Sequence, residues 1–265
     1  MSYDSIHIMN IDSHFHIFEK ASQNIEYSRY SIDYAADLGE WLKQAKSQKV
    51  TGGVIVQPSF LGYDNALLLQ TLDQNPQSFR GVASAPPNTN LSELQALRNQ
   101  GIRGIRLNLF GDKNPFETIK ANEGLISRLE EANLHLQIHH DDGLLNQLLL
   151  MIPKGVSIVI DHFGRPSSND EFIKNSDGIN KHIDALWVKL SAQYRTPKID
   201  HRSIFEYWLA KIGNDRLLWG SDWPHTQFED SQTYDLQMSS LNTLTNDPVL
   251  TKKILSINPK SLYWP

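Results

Sequence analysis

Eight short apolar runs, rich in β-branched residues, alternate with longer stretches of helical periodicity along these 265 residues. Strands are predicted at Ile6–His16, Gly53–Gln57, Gly81–Ala85, Gly104–Leu109, Leu134–His139, Val156–His162, Trp187–Ser191 and Leu217–Asp222. Helical patterns lie between them, the longest over Phe116–Ala132 and Asn169–His182. Two more follow the eighth run, at Asp235–Asn246 and after Pro248. Strands buried on both faces read as continuous hydrophobicity, as parallel strands under helices require. Strict β/α alternation over about 250 residues is the pattern of a closed (β/α)8 TIM barrel, an α/β fold. A doubly wound sheet also alternates, but no Gly-rich nucleotide loop follows any strand. No Gly/Ser/Pro-rich linker divides the chain, so a single domain over residues 1–265 is expected.

In such a barrel, reactive groups belong at the C-terminal strand ends and in the loops after them. The polar residues of this chain fall there. His14 and His16 stand two apart on strand one and share a face, with Asp12 placed on it by the same alternation. One histidine there would read as a loop residue. Two converging imidazoles can hold a metal ion or flank a substrate. Strand two runs into Gln57 and Ser59, and strand four carries Arg106 and Asn108 on one face. Strand five alternates strictly. Leu134, Leu136 and Ile138 face the helices, whereas His135, Gln137 and His139 face the interior, with His139 nearest the rim. His135 reads as a core histidine and His140 as a structural one. His162 ends strand six on the face of Ile158 and Ile160, and Asp161 is expected to point outward and brace a neighbouring loop. The turn Gly164-Arg165-Pro166 aims Arg165 across the rim. Asp222 could cap a helix or pair with a surface cation. Its place at the end of strand eight, opposite strand one in a closed barrel, favours catalysis. Arg106, Arg165 and Arg195 could be ordinary surface arginines, but at strand ends they suit a bidentate carboxylate grip.

Composition removes several other classes. The net charge of −5 is interspersed and leaves no footprint for nucleic acid or an anionic membrane. No apolar stretch approaches the ~18 residues of a membrane span. Met1 to Asn10 lacks the basic region and apolar core of a signal peptide. The absence of cysteine excludes disulfides, thiolate metal sites and cysteine nucleophiles. A small-molecule substrate and a cytoplasmic location are therefore expected.

The segments Asp12-Ser13-His14-Phe15-His16, Ser28-Arg29-Tyr30, Gln57-Pro58-Ser59, Gly101 to Arg106, Asp161-His162-Phe163-Gly164-Arg165-Pro166, Lys189-Leu190-Ser191 and Gly220-Ser221-Asp222-Trp223-Pro224-His225 span nearly the whole chain. In this order the chain resembles the amidohydrolase superfamily. Within it, the resemblance is to the lactone-hydrolase branch of 2-pyrone-4,6-dicarboxylate lactonases and sulfomuconolactone hydrolases. It implies a hydrolase of aromatic-compound breakdown that opens a carboxylated lactone or pyrone with an activated water. It implies one divalent metal, zinc, on His14, His16, His139 and Asp222, with His162 beside it. Asp222 would move the proton and His162 would stabilise the carbonyl oxygen. Arg106, Arg165, Arg195, Tyr30 and Ser59 would bind substrate. The chain also departs from the pattern. Arg106 and Asn108 replace the lysine or glutamate that often bridges a second metal. The pyrone lactonases work without metal and carry tyrosine at the position of His139, so metal-independent action stays open. Gly111-Asp112-Lys113 and Thr226-Gln227 differ as well, which points to another lactone, singly carboxylated or sulfonated. A decarboxylase of aromatic acids is the rival reaction. A catalytically inactive binding barrel is the rival class, opposed by the intact polar rim.

Overall fold

The computed structural model describes residues 9–20 and 32–265. Eight strands make one parallel sheet in sequential order: β1 Asn10–Phe15, β2 Val50–Val56, β3 Phe79–Ala83, β4 Ile102–Asn108, β5 His135–His139, β6 Ile158–Ile160, β7 Leu186–Leu190 and β8 Leu217–Trp219. The sheet curls back on itself. His16 donates its N–H to the Trp223 carbonyl at 2.9 Å, and Asp222 donates its N–H to the His14 carbonyl at 2.8 Å. This is the expected (β/α)8 barrel.

Helices α1 Leu38–Ser47, α2 Ala66–Gln74 and α3 Leu91–Asn99 return the chain after the first three strands. α4 Pro115–Ala121 and α5 Glu123–Leu129 follow β4, and α6 Leu145–Met151 follows β5. α7 Asn169–Lys174 and α8 Asp177–Lys181 follow β6, α9 His201–Ile212 follows β7, and α10 Tyr234–Thr245 follows β8. Several start on a side chain that accepts an orphan backbone N–H, among them Asp37, Asn90, Asp200 and Thr233. The two longest helical patterns are each broken at an asparagine. Asn122 separates α4 from α5, and its amide bonds the Thr118 carbonyl. Asn175 takes extended backbone between α7 and α8. Asparagine offers its own backbone a local alternative to the helix. Among the described residues no helix is long and apolar enough to cross a membrane.

The core has two apolar layers. Phe15, Ile55, Ile105, Leu136, Ile160 and Val188 face outward into the helices. Ile11, Val54, Val56, Val82, Val159 and Leu218 fill the barrel itself, closed from below by Tyr263. Two expected orientations are corrected by this layering. Along β1, Asp12 pairs with Gly53 but Phe15 pairs with Ile55, so three steps on β1 match two on β2. The extra residue is a bulge, and it reverses the alternation. Asp12 therefore leaves the histidine face and instead receives Trp41 Nε1 at 3.1 Å and Ser221 Oγ at 2.6 Å. On β6, Ile158 and Ile160 face the helices and Val159 the interior, so Asp161 continues the interior face. It points inward, not to a neighbouring loop. His162 reaches the site because the strand has ended and its φ is +52°.

Candidate active site

His14 and His16 leave β1 side by side with their Nε2 atoms 3.3 Å apart. The Asp222 carboxylate comes down from the end of β8, its Oδ1 3.6 Å from each of them and 3.9 Å from His162 Nε2. Asp222 has φ +59° and His162 φ +52°, backbone that non-glycine residues seldom adopt. Such strain persists where the surroundings over-determine it, and it accumulates at functional sites. The other Asp222 oxygen, Oδ2, receives Tyr194 Oη at 2.6 Å and Arg195 Nε at 2.7 Å. Burial pushes Asp222 up, but the adjacent Arg195 guanidinium outweighs it and holds the carboxyl well below its ordinary range. Asp222 is thus an anion with one oxygen fixed and the other turned to the histidines. Burial pushes His14 down to about 3, and His162 well below the imidazole range, so both are neutral at pH 7.

This donor set fits a divalent cation. Nδ1 of His16 lies 2.7 Å from the Val56 carbonyl, which can only accept, so in the neutral ring the lone pair is on Nε2. Nδ1 of His14 lies 3.2 Å from the Asp161 carboxylate. With that proton on Nδ1, His14 Nε2 is bare too. Two lone pairs and a carboxylate oxygen within 3.3–3.6 Å of one another repel unless a cation lies between them. Those separations match the edges of a site with bonds of about 2.0–2.2 Å. A second grouping among the described residues, His14, Asp161 and His162, is less suited, because Asp161 already accepts four donors.

His139 stands outside both groupings. Its Nδ1 faces Arg106 Nη2 at 3.2 Å, its ring stacks on Phe110 with centroids 5.3 Å apart, and its Nε2 has no partner. Arg165 lies over the Phe110 ring at 4.5 Å and pairs with Asp142 at 2.8 Å. Arg106, Arg165 and Arg195 line one cleft together with His16, His162 and Ser59. Tyr30 and Arg29 lie outside the described residues. Three polar groups beside the cluster were given no role in the site from the sequence. Lys189 and Gln137 sit in the barrel beneath His14, and Tyr194 holds Asp222. Lys189 had a signal: a lone lysine at the inward positions of β7, between Trp187 and Ser191. Tyr194 had none, because Ala192 turns through φ +53° and the strand alternation is lost before it.

A sequence pattern describing the amidohydrolase family matches residues 11–264. The chain belongs to that family. This amidohydrolase is similar to a 4-sulfomuconolactone hydrolase of Rhizobium radiobacter, 26% identical over 95% of this chain and 89% of that one. It is also similar to two solved structures described as 2-pyrone-4,6-dicarboxylic acid hydrolases. The Pseudomonas putida protein is 32% identical, with TM-score 0.86, over 98% of each chain. The Acinetobacter baumannii protein, which has citric acid bound, is 32% identical, with TM-score 0.85, over 97% of this chain and 99% of that one.

Proposed function

We propose that this amidohydrolase opens a lactone or pyrone bearing a carboxylate or sulfonate, by attack of water at the rim of the barrel. The observation that carries the reading is the meeting of three arginines with His16 at one cleft, with His14 and Asp222 buried directly behind His16. The similar proteins are named for anionic ring esters, and one of them holds citric acid, a tricarboxylic acid.

Arg106 and Arg165 take the acid group of the substrate and so fix the reacting carbonyl beside the cluster, with Ser59 lining the same cleft. Asp222 Oδ1 accepts the proton of the attacking water as the new C–O bond forms. It returns that proton to the ring oxygen as the ester C–O bond breaks, giving a hydroxy acid or its keto tautomer. His162 Nδ1 lies 2.9 Å from Ser191 Oγ, and with that hydroxyl donating to it the ring proton is on Nε2, where it meets the negative charge developing on the carbonyl oxygen. His14, His16 and Asp222 would hold a single divalent ion, zinc in this proposal, which when bound would lower the pKa of a water and polarise a carbonyl. His139 joins that set only by turning away from Arg106. A cysteine-free chain suits a reducing compartment, and we place the reaction in the cytoplasm.

The test is a hydrolysis screen of 2-pyrone-4,6-dicarboxylate, 4-sulfomuconolactone and neutral lactones, with added Zn²⁺ and after chelation. Turnover confined to the anionic esters is expected. Carbon dioxide release from aromatic acids, with no ester opened, would replace this reading with the decarboxylase.

A further inference from the structure

Lys189 and Asp161 are fully buried in the middle of the barrel, and neither lines the cleft or takes part in the proposed chemistry. Their contacts form a closed set. Asp161 Oδ1 faces His14 Nδ1 at 3.2 Å and Lys189 Nζ at 3.5 Å. Asp161 Oδ2 accepts from Arg106 Nε at 3.2 Å and from Gln137 Nε2 at 3.1 Å. Lys189 Nζ donates to Gln137 Oε1 at 2.7 Å. The Gln137 amide thus spans the pair, its oxygen on the ammonium and its nitrogen on the carboxylate. Every lone-pair direction of Asp161 is used, and two cations offset its charge. A carboxylate buried without such compensation would take up a proton instead.

We propose that Asp161 is a positioning residue that holds His14 in its Nδ1–H tautomer, and that Lys189, with Arg106 and Gln137, holds the Asp161 carboxylate in place for this task. An ionised carboxylate only accepts, so the shared proton sits on Nδ1 and Nε2 stays bare toward His16 and Asp222. An amide in place of Asp161 reverses this. Its NH2 can offer a donor to Nδ1, and Lys189 Nζ, 3.3 Å from the same nitrogen, offers another. The proton then moves to Nε2 and bonds His16 Nε2, 3.3 Å away, so the two ligands close on each other. Replacing an acid by its amide beside a catalytic histidine selects the wrong tautomer in this way in serine proteases.

The inference rests on the proposed function only in taking His14 as a metal donor, and its test needs no ester. Imidazole ¹⁵N shifts of the wild-type protein, read with and without Zn²⁺, are expected to place the His14 proton on Nδ1. Asp161→Asn is expected to move it to Nε2. The same variant should weaken Zn²⁺, measured by competition with a chelating dye, ten- to a hundred-fold. The double variant Asp161→Asn/Lys189→Met separates positioning from simple charge balance. It removes one charge of each sign, so a structural role predicts recovered Zn²⁺ binding, whereas positioning predicts that binding stays weak. Wild-type Zn²⁺ affinity in the double variant would overturn the proposal. So would a wild-type His14 proton on Nε2, and that reading decides the matter alone if neither variant folds.

Discussion

Arg80, Arg98 and Arg103, at the N-terminal end of the barrel, bind backbone carbonyls: those of Pro76 and Phe79, of Asn133, and of Tyr263 and Ile102. Arg106, Arg165 and Arg195, at the other end, meet the carboxylates of Asp161, Asp142 and Asp222. Arg103 and Arg106 are three positions apart on one strand, with only Gly104 and Ile105 between them. The lower set staples strand starts and the closing segment, and its members crowd one another. Burial first, then the charges of Arg98 and Arg80, bring Arg103 down to about 10. The upper set lies against acids around a cleft. Left-handed backbone follows the same division. His162, Phe163, Arg165, Ala192, Asp222 and His225 adopt positive φ around the rim, whereas Lys49 and Asn133 at the lower end do so only where a helix turns into a strand. Residue type is therefore a poor guide to role in this barrel; what a group is paired with, and whether it faces a cleft, decides it.

Four measurements test the contrast between the two ends of the barrel. At the rim, His162→Asn should lower turnover of an anionic lactone about 100-fold with the circular dichroism spectrum kept, the scale of losing one donor to a developing oxyanion. Arg165→Met should raise KM about tenfold and leave kcat nearly unchanged, because a carboxylate grip acts on ground and transition states alike. Acidification should destabilise the fold through the buried histidines. Burial holds His135 at about 3, while the unfolded chain protonates near 6.5. Between those values the unfolded state binds the extra proton, so stability falls as pH drops, by about 1.4 kcal/mol per pH unit for this group. Urea midpoints that stay flat from pH 7 to pH 5 would contradict it. At the lower end, Arg103→Met should cost about 1 kcal/mol of stability through its lost carbonyl bonds and leave KM and kcat alone. A kinetic effect from Arg103→Met would erase the distinction between the ends.

Much of this arrangement was legible in the sequence where alternation is regular. The period of β5 separated His139 and Gln137 from Leu136 and Ile138, and the alternating elements foretold the barrel that brings His14, His16 and Asp222 together. Legibility failed where the backbone departs from a regular strand. The bulge in β1 moved Asp12 off the histidine face. The end of β6 at Ile160 left Asp161 on the interior face, where the strand pattern had turned it outward, and His162 reaches the site through its left-handed backbone and not through strand alternation. His139 faces the cleft as expected, but its pairing with Arg106 depends on register between β4 and β5, where Asn108 stands opposite it. No one-strand argument contains that information.

The central claim is that Asp222, held as a carboxylate by Tyr194 and Arg195, moves the proton in ester opening at the rim. Turnover of an anionic lactone by Asp222→Asn, compared with wild type under saturating substrate, tests it most directly. The account predicts a folded protein slower by at least about 100-fold. Hydrolysis by Asp222→Asn at the wild-type rate would contradict it.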